Sequence, residues 1–481
     1  MSTNGSRSRI ADILFWGFLG LLLWVPVPLG SNRPLWWMVL ELWVFALVLG
    51  WVVAWGFGAI RTSDPLRKSW PAWIVMGLWL LLQWLHVIPL PPGLVEILSP
   101  ESYRMQSMLQ DIGIIKERMT LSVDVGASRI SLMKSLAYAG VFFLALALCN
   151  RRSRIDALAR TLVYAAVLYS IYAVLVHLGG VNEEWFGEIL NQGDSASGTY
   201  ANRNHFAGYL EMTSAIGIGL LIASLSDRKA DTWKKWFRYT IEWILSPKMI
   251  LRLSLCILVI ALTTTHSRMG NTAFFAALLV VGGLGIVLSR RATRNTVILL
   301  ASLIAIDLFI VGSWFGVEKL AQRLEQTTME DVQEREDPAS HTIPLIKDYL
   351  VFGAGPGSFY VTFPRYRTEK VVLFYDYAHN DYAQFAAESG VLGLGLLGIF
   401  VALSLGAALM AQWKRRDPLM RGISFACAMG VTAILIHSWV DFNLQIPANA
   451  CYFMVLLALG WIALFHDRHT PGLANVRTEG P

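Results

Sequence analysis

The strongest candidates for chemistry in this chain lie in a short polar stretch, residues 375–390 (YDYAHNDYAQFAAESG). Asn380, Gln384 and Glu388 recur at i, i+4 and i+8, and they would form one polar stripe on a helix that begins near the preceding histidine. At 1.5 Å per residue, the Glu388 carboxylate would lie roughly 13 Å below His379, inside the hydrocarbon layer of a membrane. A buried acid at that depth is costly, so the pattern predicts a functional site with His379 at its mouth.

The same residue types also occur at ordinary helix starts. In that alternative, Asn380 and Asp381 cap a helix at a loop-to-helix junction and His379 has no chemical role. For Asp381 itself we favour capping over orienting the histidine. The choice between the two interpretations depends on the rest of the chain.

Composition indicates a polytopic membrane protein. Of the 481 residues 55% are hydrophobic and only 15% are charged, and the mean hydropathy is +0.49. The net charge of +6 comes from short basic clusters between apolar segments, which argues against nucleic acid as a partner. The four cysteines lack CxxC spacing and predict neither a zinc site nor a disulfide framework: Cys149, Cys256, Cys427 and Cys451.

The predicted fold class is all-α, a membrane helical bundle of about 12 transmembrane helices. Apolar runs of about 17 to 25 residues place the spans at 11–29, 35–57, 71–90, 130–149, 156–178, 203–225, 250–266, 270–289, 296–314, 380–411, 422–440 and 447–465. The positive-inside rule then puts both termini in the cytoplasm, because the basic clusters fall in alternate loops. We therefore expect a multi-pass membrane protein.

The spans divide the chain into regions. These are the first nine helices (1–314, with an outer interfacial segment near 91–129), a large periplasmic loop (315–379), the last three helices (380–465) and a cytoplasmic tail (466–481). Within the loop we predict a helix at 317–335. The glycine-rich turn at 352–359 (FGAGPGSF) has no GK[ST] after it and no strand before it, so a phosphate cradle is not favoured.

Two arginines stand where the positive-inside rule disfavours them, at predicted outer ends of helices. Arg203 begins the sixth span, and Arg268 lies in the short turn before the eighth. Together with His379, and with Glu211 and Glu388 below, they predict a polar pocket that opens to the periplasm. The alternative for each arginine is a side chain that snorkels to lipid headgroups.

Four motifs together resemble the O-antigen ligase and polymerase superfamily of bacterial envelope glycosyltransferases. The resemblance spans roughly residues 160 to 465 and rests on 198–212 (GTYANRNHFAGYLEM), 266–270 (HSRMG), 376–390 (DYAHNDYAQFAAESG) and 437–449 (HSWVDFNLQIPAN). It implies a transferase that takes a glycan from an undecaprenyl-diphosphate carrier on the outer face of the inner membrane. The acceptor would be a hydroxyl of another glycan, of lipid A core or of a protein.

The resemblance also implies residue roles. His379 matches the proposed base, and Arg203 and Arg268 match the arginines that hold the diphosphate. We expect supporting roles for Asn380, Asp381, Glu388, Glu211, His205, His437 and Arg365. One guanidinium group donates two parallel hydrogen bonds to phosphate oxygens, so no metal and no cofactor is expected. A single displacement would invert the anomeric centre.

Other functions remain open at this point. Within the superfamily, the residues do not distinguish a ligase from a repeat-unit polymerase or a protein O-oligosaccharyltransferase. A polysaccharide transporter or flippase would use the polar stripe as a path, but it predicts helices broken near mid-membrane in matching halves. A scaffold subunit would tolerate loss of His379 and Arg203.

Overall fold

The chain is described here from a computed structural model, which covers residues 2–108, 113, 117–180, 183–185, 188–190, 195–225, 247–288, 301–302, 338–367 and 374–466. Its helices, in chain order, are α1 (Ser2–Trp24), α2 (Pro34–Gly56), α3 (Asp64–Lys68), α4 (Trp70–Val87), α5 (Pro92–Leu98), α6 (Pro100–Ser107), α7 (Val125–Leu148), α8 (Arg152–Leu178), α9 (Arg203–Ser224), α10 (Pro247–Thr264), α11 (Arg268–Leu288), α12 (Pro338–Asp348), α13 (Phe359–Thr362), α14 (Asp381–Lys414), α15 (Pro418–His437) and α16 (Pro447–Phe465). Two short strands, β1 (Glu183–Trp185) and β2 (Glu188–Leu190), pair as an antiparallel hairpin between α8 and α9.

The architecture is the predicted all-α membrane bundle. Helices occupy the positions of eleven predicted spans: α1, α2, α4, α7, α8, α9, α10, α11, α14, α15 and α16. Within the described residues, nine of these are long and apolar enough to cross a membrane; the exceptions are α1 and α10, whose apolar part is Met249–Thr264. The predicted span at 296–314, apart from residues 301 and 302, and the predicted helix at 317–335 lie outside the described residues, as does most of the tail.

Helix α9 forms the centre of the bundle. Every residue from His205 to Leu221 is buried, and the helix packs most extensively against α15. The two helices approach closely at Gly219 and Gly422, where a Cβ on either glycine would overlap the carbonyl oxygen of the other. Small residues allow such close backbone contact between membrane helices. This contact fixes α9 and α15 against each other below the polar residues at their ends.

Helix α14 is broken at Gly390, whose φ of +66° is left-handed. The N–H groups of Val391 and Leu392 donate to the carbonyl oxygens of Leu350 and Val351, at 2.8 and 3.3 Å. On the other side of the break, two N–H groups of the glycine-rich turn donate to α14 carbonyls: Ala354 to Ala387 at 2.9 Å and Gly355 to Glu388 at 3.0 Å. We call this interlocked pair of segments, 350–355 and 387–392, the splice.

Glycine is required on both sides of the splice. Gly353 (φ +83°) lies directly against the backbone of Glu388 and Ser389, and a Cβ there would overlap both. A Cβ on Gly390 would overlap the carbonyl of Val351. Left-handed φ and close backbone approach are the two situations that only glycine meets without strain. The glycine-rich turn at 352–359 therefore serves helix packing.

The outer segment that was predicted near 91–129 contains the two short helices α5 and α6. It is tied to the rest by the pairing of Leu90 with Met119. At the end of α4, the two ring nitrogens of His86 lie 2.8 Å from the carbonyl oxygen of Leu82 and 2.9 Å from that of Phe352. Through Phe352, the outer segment and the splice are held together. That α5 and α6 lie on a membrane surface remains a prediction.

Candidate functional site

Helix α14 begins at Asp381, two residues later than the polar stripe suggested. Its N-cap is Asn380, whose Oδ1 accepts the N–H of Ala383 at 3.0 Å while its Nδ2 donates to the carbonyl of Trp439 at 2.7 Å. His379 precedes this cap with a φ of +53°, a backbone conformation that is uncommon for residues other than glycine. Such strained residues concentrate at functional sites.

The prediction that Asp381 caps the helix is wrong. Asp381 is only 1% exposed, and its carboxylate accepts from Ser438 Oγ at 2.7 Å, the Leu444 N–H at 3.0 Å and Gln445 Nε2 at 3.4 Å. Its own N–H donates to the carbonyls of Ser438 and Asp441. Because Asn380 already supplies the cap, Asp381 is free to point inward, where it organises the turn between α15 and α16.

His379 lies against this turn through Phe442. Its ring meets the Phe442 ring edge-on, with centroids 4.8 Å apart, and the Tyr375 ring at 5.7 Å. The Phe442 ring also contacts His205 edge-on at 4.5 Å and stacks on Tyr377 at 4.6 Å. The Phe442 side chain therefore lies between His379 and His205 and contacts both.

Behind Phe442, four buried ionisable side chains form a continuous chain, which we call the buried relay: Glu211, His437, Asp441 and His205. His437 Nδ1 lies 2.7 Å from Glu211 Oε1, and its Nε2 lies 3.9 Å from Asp441 Oδ2. Asp441 Oδ1 is 3.3 Å from His205 Nε2. Three of these four residues were predicted as supporting residues, and α9 and α15 bring them together.

Asp441 is the member of the buried relay that sequence reasoning missed. Burial by itself would raise the pKa of the Asp441 carboxyl, but the contact with His205 and the positive charges of His205 and His437 lower it to about 2. The available signal was an acid four residues after His437 in the motif HSWVD, next to an aromatic residue. Helix α15 ends at His437, so this spacing is created by a turn and not by a helix face.

The two predicted arginines stand at neighbouring helix starts. Arg203 is the first residue of α9, Arg268 is the first residue of α11, and both are exposed. Gly270, two residues into α11, packs against Ala207, one turn into α9: a Cβ on the glycine would lie 2.7 Å from that of the alanine. Each helix start adds partial positive charge from its free N–H groups.

Glu388 and Arg365 lie apart from this assembly. Glu388 Oε1 accepts from Gln384 Nε2 at 2.8 Å, as the i+4 stripe predicted, but it also accepts the Phe359 N–H at 3.2 Å. Backbone of the 352–359 turn therefore covers this acid, and its depth in the membrane stays a prediction. Arg365 pairs with Glu101 of α6 at 2.6 Å.

A cavity of about 890 Å³ lies beside the start of α14. It lies between α2, α4, α7, α14 and α16, and it reaches Asp376, Tyr377 and Asp381, which flank the histidine in sequence. His379, Arg203 and Arg268 are outside its lining. Within the described residues, no three His, Cys, Asp or Glu side chains are placed to share a metal ion.

The helices form a membrane bundle, and the buried relay lies at the ends of its central helices. The chain therefore belongs to the class of polytopic membrane proteins with an internal polar site. A family model described as O-antigen ligase matches residues 253–398, a range that includes Arg268, the splice and His379. Over that range, this match confirms the resemblance to the O-antigen ligase superfamily that was drawn from the four motifs. Arg203, His205 and the relay residues lie outside the matched range. No curated protein matches the chain.

Proposed function

We propose that this protein transfers a glycan from an undecaprenyl-diphosphate carrier to an acceptor hydroxyl on the periplasmic face of the bacterial inner membrane, with both termini in the cytoplasm. The observation that carries the proposal is the position of His379. The His379 ring contacts Phe442, and Phe442 contacts His205, which lies two residues after Arg203 on α9. The start of α11, which carries Arg268, packs on the same turn of α9. A base and two phosphate-binding groups thus belong to one assembly.

The transfer is a single displacement at the anomeric carbon. The acceptor oxygen forms the new glycosidic bond while the bond to the diphosphate oxygen breaks, and the diphosphate leaves with the electron pair. His379 takes the proton of the acceptor hydroxyl, since an imidazole is suited to general base catalysis near neutral pH. Attack opposite the leaving group inverts the anomeric centre.

Arg203 and Arg268 stabilise the departing diphosphate without a metal ion. A guanidinium remains charged and presents paired N–H donors that match phosphate oxygens, and the adjacent helix starts strengthen the attraction. The buried relay and Asp381 have positioning roles in this proposal. They fix the 438–445 turn that carries Phe442, and so the wall against which His379 rests.

The diphosphate assignment makes a prediction about arginine geometry. With purified protein and a defined lipid-linked donor, Arg203→Lys and Arg268→Lys should each lose at least about tenfold in transfer rate, because lysine keeps the charge but not the paired donors. EDTA should leave the wild-type rate unchanged. Arg160→Lys, in a partly exposed i,i+4 pair with Asp156 on α8, is the matched control and should keep the wild-type rate. Wild-type rates for both site variants would refute the phosphate role, and EDTA sensitivity would refute the metal-free mechanism.

The acceptor distinguishes a ligase from a repeat-unit polymerase or a protein O-oligosaccharyltransferase. Mass spectrometry of envelope glycans from a deletion strain separates the three. Loss of attachment to lipid A core indicates a ligase, loss of chain length a polymerase, and loss of protein-bound glycan the third activity. Unchanged glycans in all three fractions would contradict the proposed function.

A further inference from the structure

Phe442 lies at the centre of a group of rings beside the proposed base. Its side chain is buried. The Phe442 ring meets the rings of His379 and His205 edge-on, with centroids 4.8 and 4.5 Å away, and the ring of Tyr377 stacks on it at 4.6 Å. Edge-on and offset-stacked contacts have preferred geometries, so they fix the direction of a ring as well as its position.

Both chain neighbours of Phe442 are anchored on α9, the central helix of the bundle. Asp441 Oδ1 lies 3.3 Å from Nε2 of His205, and it also accepts the Phe442 N–H at 2.8 Å. On the other side, Asn443 packs so closely on Gly208 that a Cβ on the glycine would lie 2.3 Å from Asn443 Oδ1. Because both flanking residues are held, the Phe442 ring has a fixed position relative to α9.

The 438–445 turn is also tied to the start of α14, directly after His379. Asn380 Nδ2 donates to the carbonyl of Trp439 at 2.7 Å. The carboxylate of Asp381 accepts one hydrogen bond from a side chain and one from a backbone N–H of the turn, at 2.7 and 3.0 Å. The backbone that follows His379 and the ring of His379 are therefore both held by one turn.

The direction of the His379 ring decides whether it can act as a base. A general base must point one nitrogen at the proton that it removes, and a misplacement of about 1 Å can lower a rate about 100-fold. His379 is only partly buried, so its ring is directed mainly by the rings beside it. These are Phe442 and, with centroids 5.7 Å apart, Tyr375.

We propose that Phe442 is a positioning residue for His379: it directs the imidazole ring toward the acceptor hydroxyl, and the buried relay acts on the base through it. The proposal rests on the proposed glycosyl transfer, in which His379 is the base. Phe442 acts through His379 and not on the substrate. The relay fixes Asp441, Asp441 fixes the backbone of Phe442, and the Phe442 ring fixes the imidazole.

The first test is a double-mutant cycle between His379 and Phe442. Phe442→Leu keeps an apolar side chain but removes the ring, and it should lower kcat about 30-fold with little change in either KM. In the His379→Ala protein, which has no imidazole to direct, the same substitution should change the residual rate by less than about twofold. An equal loss in both backgrounds would mean that Phe442 only supports the fold, which overturns the proposal.

Two variants control for packing. Phe142, on α7, is fully buried and meets Trp73 and Phe400 edge-on at 5.3 and 5.1 Å. Phe142→Leu should therefore lower the unfolding temperature as Phe442→Leu does, but it should keep the wild-type kcat. Phe442→Tyr retains the ring and should keep at least about half of the wild-type kcat. Equal losses of kcat in the two leucine variants, or a folded Phe442→Tyr protein as slow as Phe442→Leu, would contradict the role of the ring.

The second test concerns the link to the buried relay. Asp441→Asn keeps an oxygen for the Phe442 N–H but removes the charge that faces His205. Alone it should lower kcat, and in the Phe442→Leu protein it should cause no further loss. Additive losses would mean that the relay acts on the base by another route, and the second half of the proposal would fail.

The third test observes the His379 ring without turnover. In protein isotopically labelled at Cε1 of histidine, the His379 resonance is identified by its absence from His379→Ala. Phe442→Leu should shift and broaden this resonance, because the ring current of Phe442 is lost and the imidazole samples more orientations. Phe142→Leu should leave it in place.

The resonance separates the two proposals from each other. An unchanged His379 resonance in Phe442→Leu would overturn the positioning role of Phe442. A wild-type protein that shows the expected shifts but transfers no glycan would refute the proposed function and leave the contact between the two rings standing.

Discussion

His379 combines an unusual backbone conformation with a ring held by two aromatic neighbours. Its role as a base predicts that His379→Ala reduces transfer to below about 1% of wild type, because loss of a general base typically costs 10²- to 10⁴-fold. The unfolding temperature should change by only a few degrees, since the ring is partly exposed and its removal leaves no closed cavity.

The control for the His379→Ala experiment uses the left-handed backbone conformation of residue 379. Asparagine tolerates this conformation better than most residues, so His379→Asn should fold as wild type does and should be equally inactive. Thermal unfolding and single-turnover transfer measure the two properties separately. Retention of a tenth of the wild-type rate in either variant would remove His379 from the role of base.

Asp441 carries a pH prediction. Its pKa falls from an ordinary value of 3.8 to about 2 in the folded protein, so its contribution to stability is complete above about pH 4 and is lost as the pH falls toward 2. The unfolding temperature in detergent should therefore drop across that interval for the wild type. Asp441→Asn should start lower and show a shallower drop, and parallel curves would contradict the assignment.

Residue types and spacing predicted most of the polar assembly, but not how its members divide into sites. The polar stripe at Gln384 and Glu388 followed from i+4 spacing and is present. That Glu388 faces the cavity side, while Glu211 joins His437, depends on which helices are neighbours, and the local sequence does not contain that information. Asp441 was missed for the same reason, because its partners come from α9 and α15.

At the scale of elements, the splice predicts unequal effects of similar substitutions. Gly353→Ala and Gly390→Ala should each destabilise the protein by more than about 2 kcal/mol, since each adds a Cβ that overlaps backbone at a left-handed φ. Gly395→Ala, in open space on the same helix, should be neutral or slightly stabilising because alanine favours helix. Thermal unfolding in detergent compares the three, and equal unfolding temperatures would show that the splice is not rigid.

Hydropathy located the helices well, and eleven predicted spans coincide with helices to within several residues along most of their length. Hydropathy does not predict the break in α14. Gly390 lies in an apolar run with Gly393, Gly395 and Gly398, and glycine is common in membrane helices. The carbonyl groups that accept from the broken helix come from Leu350 and Val351, some forty residues earlier in the chain.

For the whole molecule, the orientation in the membrane is a prediction that does not depend on the chemistry. A reporter joined after Arg335 should report the periplasm, and one joined after Arg416 should report the cytoplasm, as the positive-inside rule requires. The assay pairs a periplasm-active with a cytoplasm-active reporter at each position. The same location for both junctions would mean that the ninth or tenth predicted span is wrong, and the periplasmic site would be lost with it.

Hydrogen exchange at the splice can report how often the 350–355 segment separates from α14. The amide protons of Val391 and Leu392 are protected by carbonyl oxygens of the 350–355 segment and not by the helix that contains them. Any excursion of that segment must therefore expose both protons to exchange, while the rest of α14 stays protected. The deuterium uptake of these two amides would report how often the loop leaves α14, and its change on adding a substrate would show whether substrate binding closes or opens the protein.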